Sequence, residues 1–292
     1  MLTKVFCNVD DFCQQFEPRL NQYLIEHCGR KRIRKQSLSI SEVATIVIMF
    51  HAKGYRCLKH FYIDHVCKHW RKHFRGLVSY NRFVELMPQA LMVLSAFLQT
   101  RYGKVSGVSY IDSTGIAVCE KSRALRHKVF KDEAGWGKSS THWYYGFKLH
   151  LIISDTGELL AVKCTSGNTD DRAVLEDMCC HLFGKLFGDK GYISKAKAKL
   201  LKEKYDVDLI TTRRKNMKPQ NLPAFDKILL RGRAIIETVN DQLKNISQIE
   251  HTRHRSKFNF MVNLLAGLVA YTFQKKKPSL KIQHTGLVEL AS

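Results

Sequence analysis

Arg231-Gly232-Arg233-Ala234-Ile235-Ile236-Glu237-Thr238-Val239-Asn240-Asp241-Gln242-Leu243-Lys244 sorts its charges to one side of a helix and its apolar residues to the other. At about 100° per residue, with Glu237 as origin, Arg233 falls near −40°, Lys244 near −20° and Asp241 near +40°. Ile235, Ile236, Val239, Leu243 and Ile246 take the opposite arc, roughly 160° to 260°. One face should therefore pack on a core while the other offers a carboxylate flanked by two cations. Alone, this is an amphipathic helix with an Arg233–Glu237 pair at i, i+4, worth about 0.3–0.5 kcal/mol. Two carboxylates upstream give it another meaning.

Working back from this helix, Val207 to Thr211 reads as a strand and Ser194 to Tyr205 as a helix. A short strand, Leu182 to Phe187, leads to Gly188-Asp189-Lys190-Gly191-Tyr192. Gly167-Asn168-Thr169-Asp170-Asp171 caps a helix running to about Cys180. Tyr144 to Ser154 and Glu158 to Thr165 are strands joined by the turn Asp155-Thr156-Gly157. Val108-Ser109-Tyr110-Ile111-Asp112 reads as a buried strand ending in a carboxylate. Lys121 to Thr141 is basic, contains Gly135-Trp136-Gly137 and carries no regular pattern. From residue 105 the order is three strands, helix, strand, helix, strand, helix. A hairpin makes the first strands antiparallel, and the later alternation implies parallel crossovers. That is the order of a ribonuclease-H-like α/β domain, a mixed five-stranded sheet with helices.

Residues 1 to about 100 carry helical spacing throughout, in Val5 to His27, Ser39 to His51, Cys57 to Phe74 and Tyr80 to Tyr102. Gly29 to Lys35 is a basic connector. The break at Lys53-Gly54 loosely resembles the turn of a helix-turn-helix, so this part either recognises DNA or serves packing and dimerisation. His51, Cys57, His60, His65, Cys67, His69 and His73 crowd together, but they fit no paired-ligand spacing and interleave with Phe61, Tyr62 and Trp70. The expected organisation is a helical domain at 1–103, a catalytic domain at 104–274 and a basic tail at 275–292.

Forty-eight Lys and Arg against 26 Asp and Glu leave a formal net charge of +22 over 292 residues. Self-repulsion of that size weakens a compact fold unless a polyanion offsets it, which points to nucleic acid before an anionic membrane. The apolar run Met261 to Phe273 is shorter than the roughly 20 residues a bilayer span needs. No apolar leader follows Met1–Lys4, and nine cysteines lack framework spacing. Both features lead us to expect a reducing cytoplasm rather than export or a membrane.

Asp112, Asp189 and Glu237 fall on the first strand, the end of the fourth and a late helix. Three gathered carboxylates raise one another's pKa unless a cation neutralises them, and such hard oxygen ligands suit Mg²⁺ or Mn²⁺. Two such ions roughly 3.5–4 Å apart can activate a hydroxyl and stabilise the leaving oxygen in phosphoryl transfer.

The chain resembles the DDE transposases of bacterial insertion sequences, most closely insertion-sequence family 982. The resemblance rests on Tyr110 to Thr114, Gly146 to His150, Ser166 to Asp170, Gly188 to Tyr192 and Arg233 to Arg255. Related enzymes carry Tyr, two residues, Arg, three residues, Glu, six residues, Lys. Arg233, Glu237 and Lys244 match that register, whereas Leu230 replaces the Tyr. The resemblance implies a metal triad of Asp112, Asp189 and Glu237 holding two Mg²⁺ or Mn²⁺ ions, with Arg233 and Lys244 facing the DNA end. It implies cleavage at terminal inverted repeats, joining of the 3′-hydroxyl to target DNA, and a homodimer on DNA in the bacterial cytoplasm.

Lys148, Lys190, Arg213, Arg214, Arg253 and Arg255 are expected to neutralise backbone phosphates. Trp136, Trp143 and Tyr144 either stack on a distorted end or belong to the core. Asp241 stands about one turn from Glu237 and is the competing carboxylate. Two rival functions remain at this level: a basic DNA-binding protein without catalysis, and a ribonuclease-H-like nuclease without joining.

Overall fold

The computed structural model describes residues 1–27, 36–139, 142–213, 216–217, 221–250 and 254–280. Its contacts divide the chain into two compact units. One comprises Met1–Arg101, Lys128–Phe130 and Gln242–Gln274; the other comprises Tyr102–His127, Lys131–Asp241 and Lys275–Ser292.

The first unit is helical. Leu2–His27 (α1) and Ile40–Ala52 (α2) are followed by Leu58–His60 (α3), which runs through a π-helical turn, Phe61–Val66, into Cys67–His69 (α4). Tyr80–Leu86 (α5) passes a 3₁₀ turn at Met87–Gln89, where Pro88 removes a donor, into Ala90–Thr100 (α6). Lys257–Thr272 (α11) completes the unit by packing on α2 and α6. Ser39 opens α2 with a capping box. Its hydroxyl accepts from the Glu42 N–H at 3.1 Å, and Glu42 Oε2 accepts from the Ser39 N–H at 2.8 Å. Ser39→Ala should cost about 1 kcal/mol, seen as a melting temperature roughly 2–4 °C lower by circular dichroism.

α2 is buried from Val43 to His51 because α1, α6 and α11 all pack against it. The His-rich stretch joins an aromatic core. His65 stacks on Phe61 and meets Trp70 edge-on, and the Tyr62 hydroxyl donates to Val78 O at 2.7 Å. Gly54 sits at φ +67 and lets the chain leave α2. Among the described residues, one stretch, Tyr80–Thr100, is long and apolar enough by composition to cross a membrane. Here its Phe83, Leu86, Val93, Leu94 and Phe97 are core residues of the helical unit.

The second unit is built on one six-stranded sheet: Val108–Cys119 (β1), Gly135–Lys138 (β2), Trp143–Ser154 (β3), Leu159–Ser166 (β4), Gly184–Gly188 (β5) and Val207–Thr211 (β6). β3 lies antiparallel to β1 on one edge. Its other edge is shared by β4, along Phe147–Ile153, and β2, along Trp143–Gly146. β5 is parallel to β1, and β6 to β5. Five of these strands form the expected ribonuclease-H-like α/β core. β2 is the sixth and corrects the reading of Lys121–Thr141 as irregular, since Lys121–Arg126 is also a 3₁₀ turn. Gly135 and Gly137 make the extra strand possible, because a Cβ on either would overlap Ser166 or Tyr144.

Leu175–Cys179 (α7) and Lys195–Tyr205 (α8) cover one face, burying Leu175, Met178 and Leu201 with Ile111, Ile152 and Leu186. Tyr110, the residue before Ile111 on β1, turns to the other face, as pleating requires, and donates to Leu229 O at 3.1 Å. Leu229 belongs to Ala224–Arg231 (α9), which the sequence pattern had not suggested, and Asp226 of α9 holds Lys185 of β5 at 2.6 Å. Ala234–Asn245 (α10) follows after Gly232, so the stretch read as one helix from Arg231 is broken there. Ile235, Ile236, Val239 and Leu243 are buried as the wheel requires, but Ile246 lies beyond the helix and is 51% exposed.

The compact units are drawn differently from the 1–103, 104–274 and 275–292 division. α11 is apolar nearly all round and finds its cover among helices, so 242–274 cluster with the first unit. Residues 275–280 lie along the β3–β4 turn, where Leu280 N–H donates to Asp155 O at 2.8 Å and Lys277 stands 3.7 Å from Glu158.

Candidate active site

β1 and β5 run side by side with Tyr110 opposite Phe187. Asp112 and Asp189 each follow two residues later, so neighbouring strands deliver both carboxylates to one carboxyl-terminal edge of the sheet. β1 continues there, pairing Asp112 with Leu151 of β3, whereas β5 stops at Gly188 and turns. Asp189 caps that turn, its Oδ1 accepting the Gly191 N–H at 2.8 Å. A Cβ at Gly191 would sit 2.9 Å from the same oxygen, so the close approach needs glycine.

α10 reaches the edge through Asn240, whose Nδ2 donates to Asp112 Oδ2 at 3.1 Å. Sequence reasoning missed Asn240, although the wheel puts it about 60° from Glu237 on the same face. Glu237 is exposed and accepts from Arg233 Nη2 at 2.5 Å. Arg233 and Glu237 line a cleft of about 430 Å³ with Thr212, Lys227, Leu230, Arg231 and Ala234.

Burial pushes the Asp112 carboxyl up to about 6. The Ser113 backbone and Arg233 oppose the shift, while Asp189 and Glu237 add to it. Two further carboxylates and a guanidinium are therefore within electrostatic reach of Asp112. Because folding raises this pKa above its ordinary 3.8, the protonated form is the one the fold favours. The carboxyl costs stability above pH 6, and the cost fades as pH falls toward 3.8. Asp112→Asn should raise the melting temperature of the DNA-free, metal-free protein by roughly 3–6 °C at pH 7.5 and leave it nearly unchanged at pH 4. Equal shifts at both pH values would contradict the buried-charge account.

Among the described residues, no group of three or more His, Cys, Asp or Glu side chains is gathered closely enough to hold a metal ion. The donor chemistry nevertheless fits a hard divalent cation: all three candidates are carboxylates, and Asp189 and Glu237 both act electrostatically on the desolvated Asp112.

The Transposase DDE domain family matches residues 102–257, more than half of the chain and all three carboxylates. The chain belongs to the DDE transposases. A comparison with curated proteins finds no match.

Other residues read as DNA contacts in this transposase fall into different settings. Lys190 and Arg213 are exposed on the sheet unit, and Arg213 donates to Met217 O at 3.1 Å. Trp143 is 51% and Trp136 39% exposed, and the Lys138 ammonium lies 5.5 Å from the Trp143 ring centre. Tyr144 is buried against Gly115 and Gly137, so of its two readings the core one holds. Lys148 is only 14% exposed and is engaged by Asp171 and Thr169 O. Lys244 lies 3.2 Å from Glu250, and with exposed Arg255 it belongs to the helical unit. Arg214 and Arg253 lie outside the described residues.

Proposed function

We propose that this protein is an insertion-sequence transposase, of the kind typified by insertion-sequence family 982. It cleaves DNA at terminal inverted repeats and joins the freed 3′-hydroxyl to target DNA. The observation that carries the reading is the β1–β5 register, which sets Asp112 beside Asp189 at the sheet edge that Asn240 of the Glu237 helix also reaches. Asp112, Asp189 and Glu237 are assigned as the residues that hold Mg²⁺ or Mn²⁺, two ions in all. When bound, these ions supply Lewis-acid activation of the attacking oxygen and neutralise the leaving one.

The chain's own residues do the rest. Asp112, inside β1 just past its pairing with β5, and Asp189, just after the end of β5, set where the reacting phosphodiester sits. Arg233 exchanges its hydrogen bond to Glu237 for a DNA phosphate, a cheap exchange because an exposed i, i+4 pair is worth only about 0.3–0.5 kcal/mol. Lys190, Arg213 and Arg255 neutralise backbone phosphates, and Trp136 and Trp143 offer exposed rings on which a distorted end can stack. Both ends must be held at once, which favours a homodimer on DNA beside the bacterial chromosome in the cytoplasm.

The test uses a plasmid carrying the DNA that flanks the reading frame, where this reading expects short inverted repeats. Purified protein with Mg²⁺ should nick at the repeat ends, and chelation should stop it. Nicking without regard to the repeats would favour a ribonuclease-H-like nuclease, and binding with no nicking a non-catalytic DNA-binding protein.

A further inference from the structure

Gly167–Asp171 read from sequence is only a helix cap, and the residue that caps is Asp170, whose carboxylate accepts the Arg172 N–H at 2.8 Å. Asp171 does something else. Its Oδ1 accepts the Ser113 hydroxyl at 2.7 Å and lies 3.2 Å from Lys148 Nζ. His150 Nδ1 is 3.7 Å from the same oxygen, but this imidazole is fully buried and burial pushes its pKa down to about 4. The full positive charge in contact with Asp171 is therefore that of Lys148, which also donates to Thr169 O at 2.8 Å, while Arg172, paired with Asp170, acts on Asp171 from farther off.

The other oxygen, Oδ2, faces the Asp189 turn. A Cβ on Gly191 would lie 3.5 Å from it and 2.9 Å from Asp189 Oδ1. The turn Asp171–Val174 packs on the turn Lys190–Tyr192, over the buried Tyr192 ring. One carboxylate thus holds the residue after Asp112 and abuts the turn that begins at Asp189.

We propose that Asp171 is a positioning residue of the active site: with Lys148 as its counter-ion, it ties Ser113 to the Asp189 turn and fixes how Asp112 and Asp189 face each other. The proposal rests on the assignment of those two aspartates as cation ligands. It also gives Lys148 a different duty from the phosphate contact expected of it. A partly buried pair of this kind is a weak source of net stability, but removing one partner strands the other's charge.

The test titrates Mn²⁺ into DNA-free protein and reads free Mn²⁺ by electron paramagnetic resonance, with thermal melts to establish folding. Asp112→Ala should abolish binding. Asp171→Ala should weaken it about tenfold, the range in which loss of a ligand's hydrogen-bonded partner falls. Ser113→Ala should weaken it similarly and removes only one hydroxyl, so it carries the test if Asp171→Ala does not fold. The double variant Lys148→Met with Asp171→Asn should stay within about threefold of the parent, because Asn still accepts from Ser113 and no charge is stranded.

Parent-like binding in both Asp171→Ala and Ser113→Ala, with Asp112→Ala inactive, overturns the positioning role alone. A double variant as weak as Asp171→Ala also overturns it, since Asp171 would then contribute its charge directly. Parent-like binding in Asp112→Ala, or none in the parent, defeats the triad assignment and this proposal with it.

Discussion

Asp112→Ala is expected to reduce Mg²⁺-dependent nicking at the repeat ends by about 10³-fold, roughly 4 kcal/mol of lost transition-state stabilisation. The size follows from its position. Asp112 is the desolvated member of the set, beside Asp189 by strand register and bonded to Asn240 of α10. No nearby side chain on β1 can replace it, because Ser113 is held by Asp171. Glu237→Gln should fall by a similar factor, whereas Asp241→Asn should stay within about threefold of the parent, since on the helical wheel Asp241 falls on the side of Glu237 away from Asn240, the residue that reaches Asp112. Single-turnover nicking rates at saturating DNA check all three. A large loss in Asp241→Asn with activity retained in Glu237→Gln would move the third ligand one turn along the helix.

Gly146→Ala is expected to cost about 4 kcal/mol or more, a melting temperature lower by roughly 10 °C, or no folded protein at all. Gly146 pairs with Ala117, and a Cβ there would stand 2.0 Å from Ile116 O. Backbone cannot swing aside as a side-chain tip can, so β1 and β3 would have to separate. These are the central antiparallel strands, and the same β1 carries Asp112. Calorimetry would record the loss; a melting temperature within about 2 °C of the parent would mean that the two strands pair otherwise than described.

The α/β core was legible because its strands differ sharply in kind from its helices. The turn Asp155-Thr156-Gly157 fixed the β3–β4 hairpin, and Gly157 adopts φ +71 as such a turn demands. Val207–Thr211 is a strand with the bounds read from its β-branched and apolar residues. Asp112 and Asp189 stood out as candidates because the first follows an apolar run and the second sits in a Gly-flanked turn, although the strand read as ending at Asp112 runs on to Cys119.

What stayed hidden depends on partners far along the chain. β2 has two glycines among its four residues and no alternation of apolar side chains; only the edge of β3 makes it a strand. α9 is short and follows a proline-containing basic run, so its apolar Phe225, Ile228 and Leu229 span too few turns to reveal a period. Lys148 reads as a phosphate ligand because charge is visible in sequence and its ion-pair partner Asp171 is not. Asp171 lies 23 positions downstream and meets Lys148 across the sheet. The Asn240–Asp112 bond spans 128 residues and is invisible for the same reason.

Strand joining tests the central claim most directly. A duplex ending in the repeat with its 3′-hydroxyl already exposed is incubated with the protein, Mg²⁺ and a target plasmid. The account predicts covalent joining of that end to the plasmid, abolished by Glu237→Gln in the protein or by a 3′-deoxy terminus on the DNA. Efficient nicking of repeat-bearing plasmid with no joined product from the pre-exposed end would contradict it and leave a nuclease in its place.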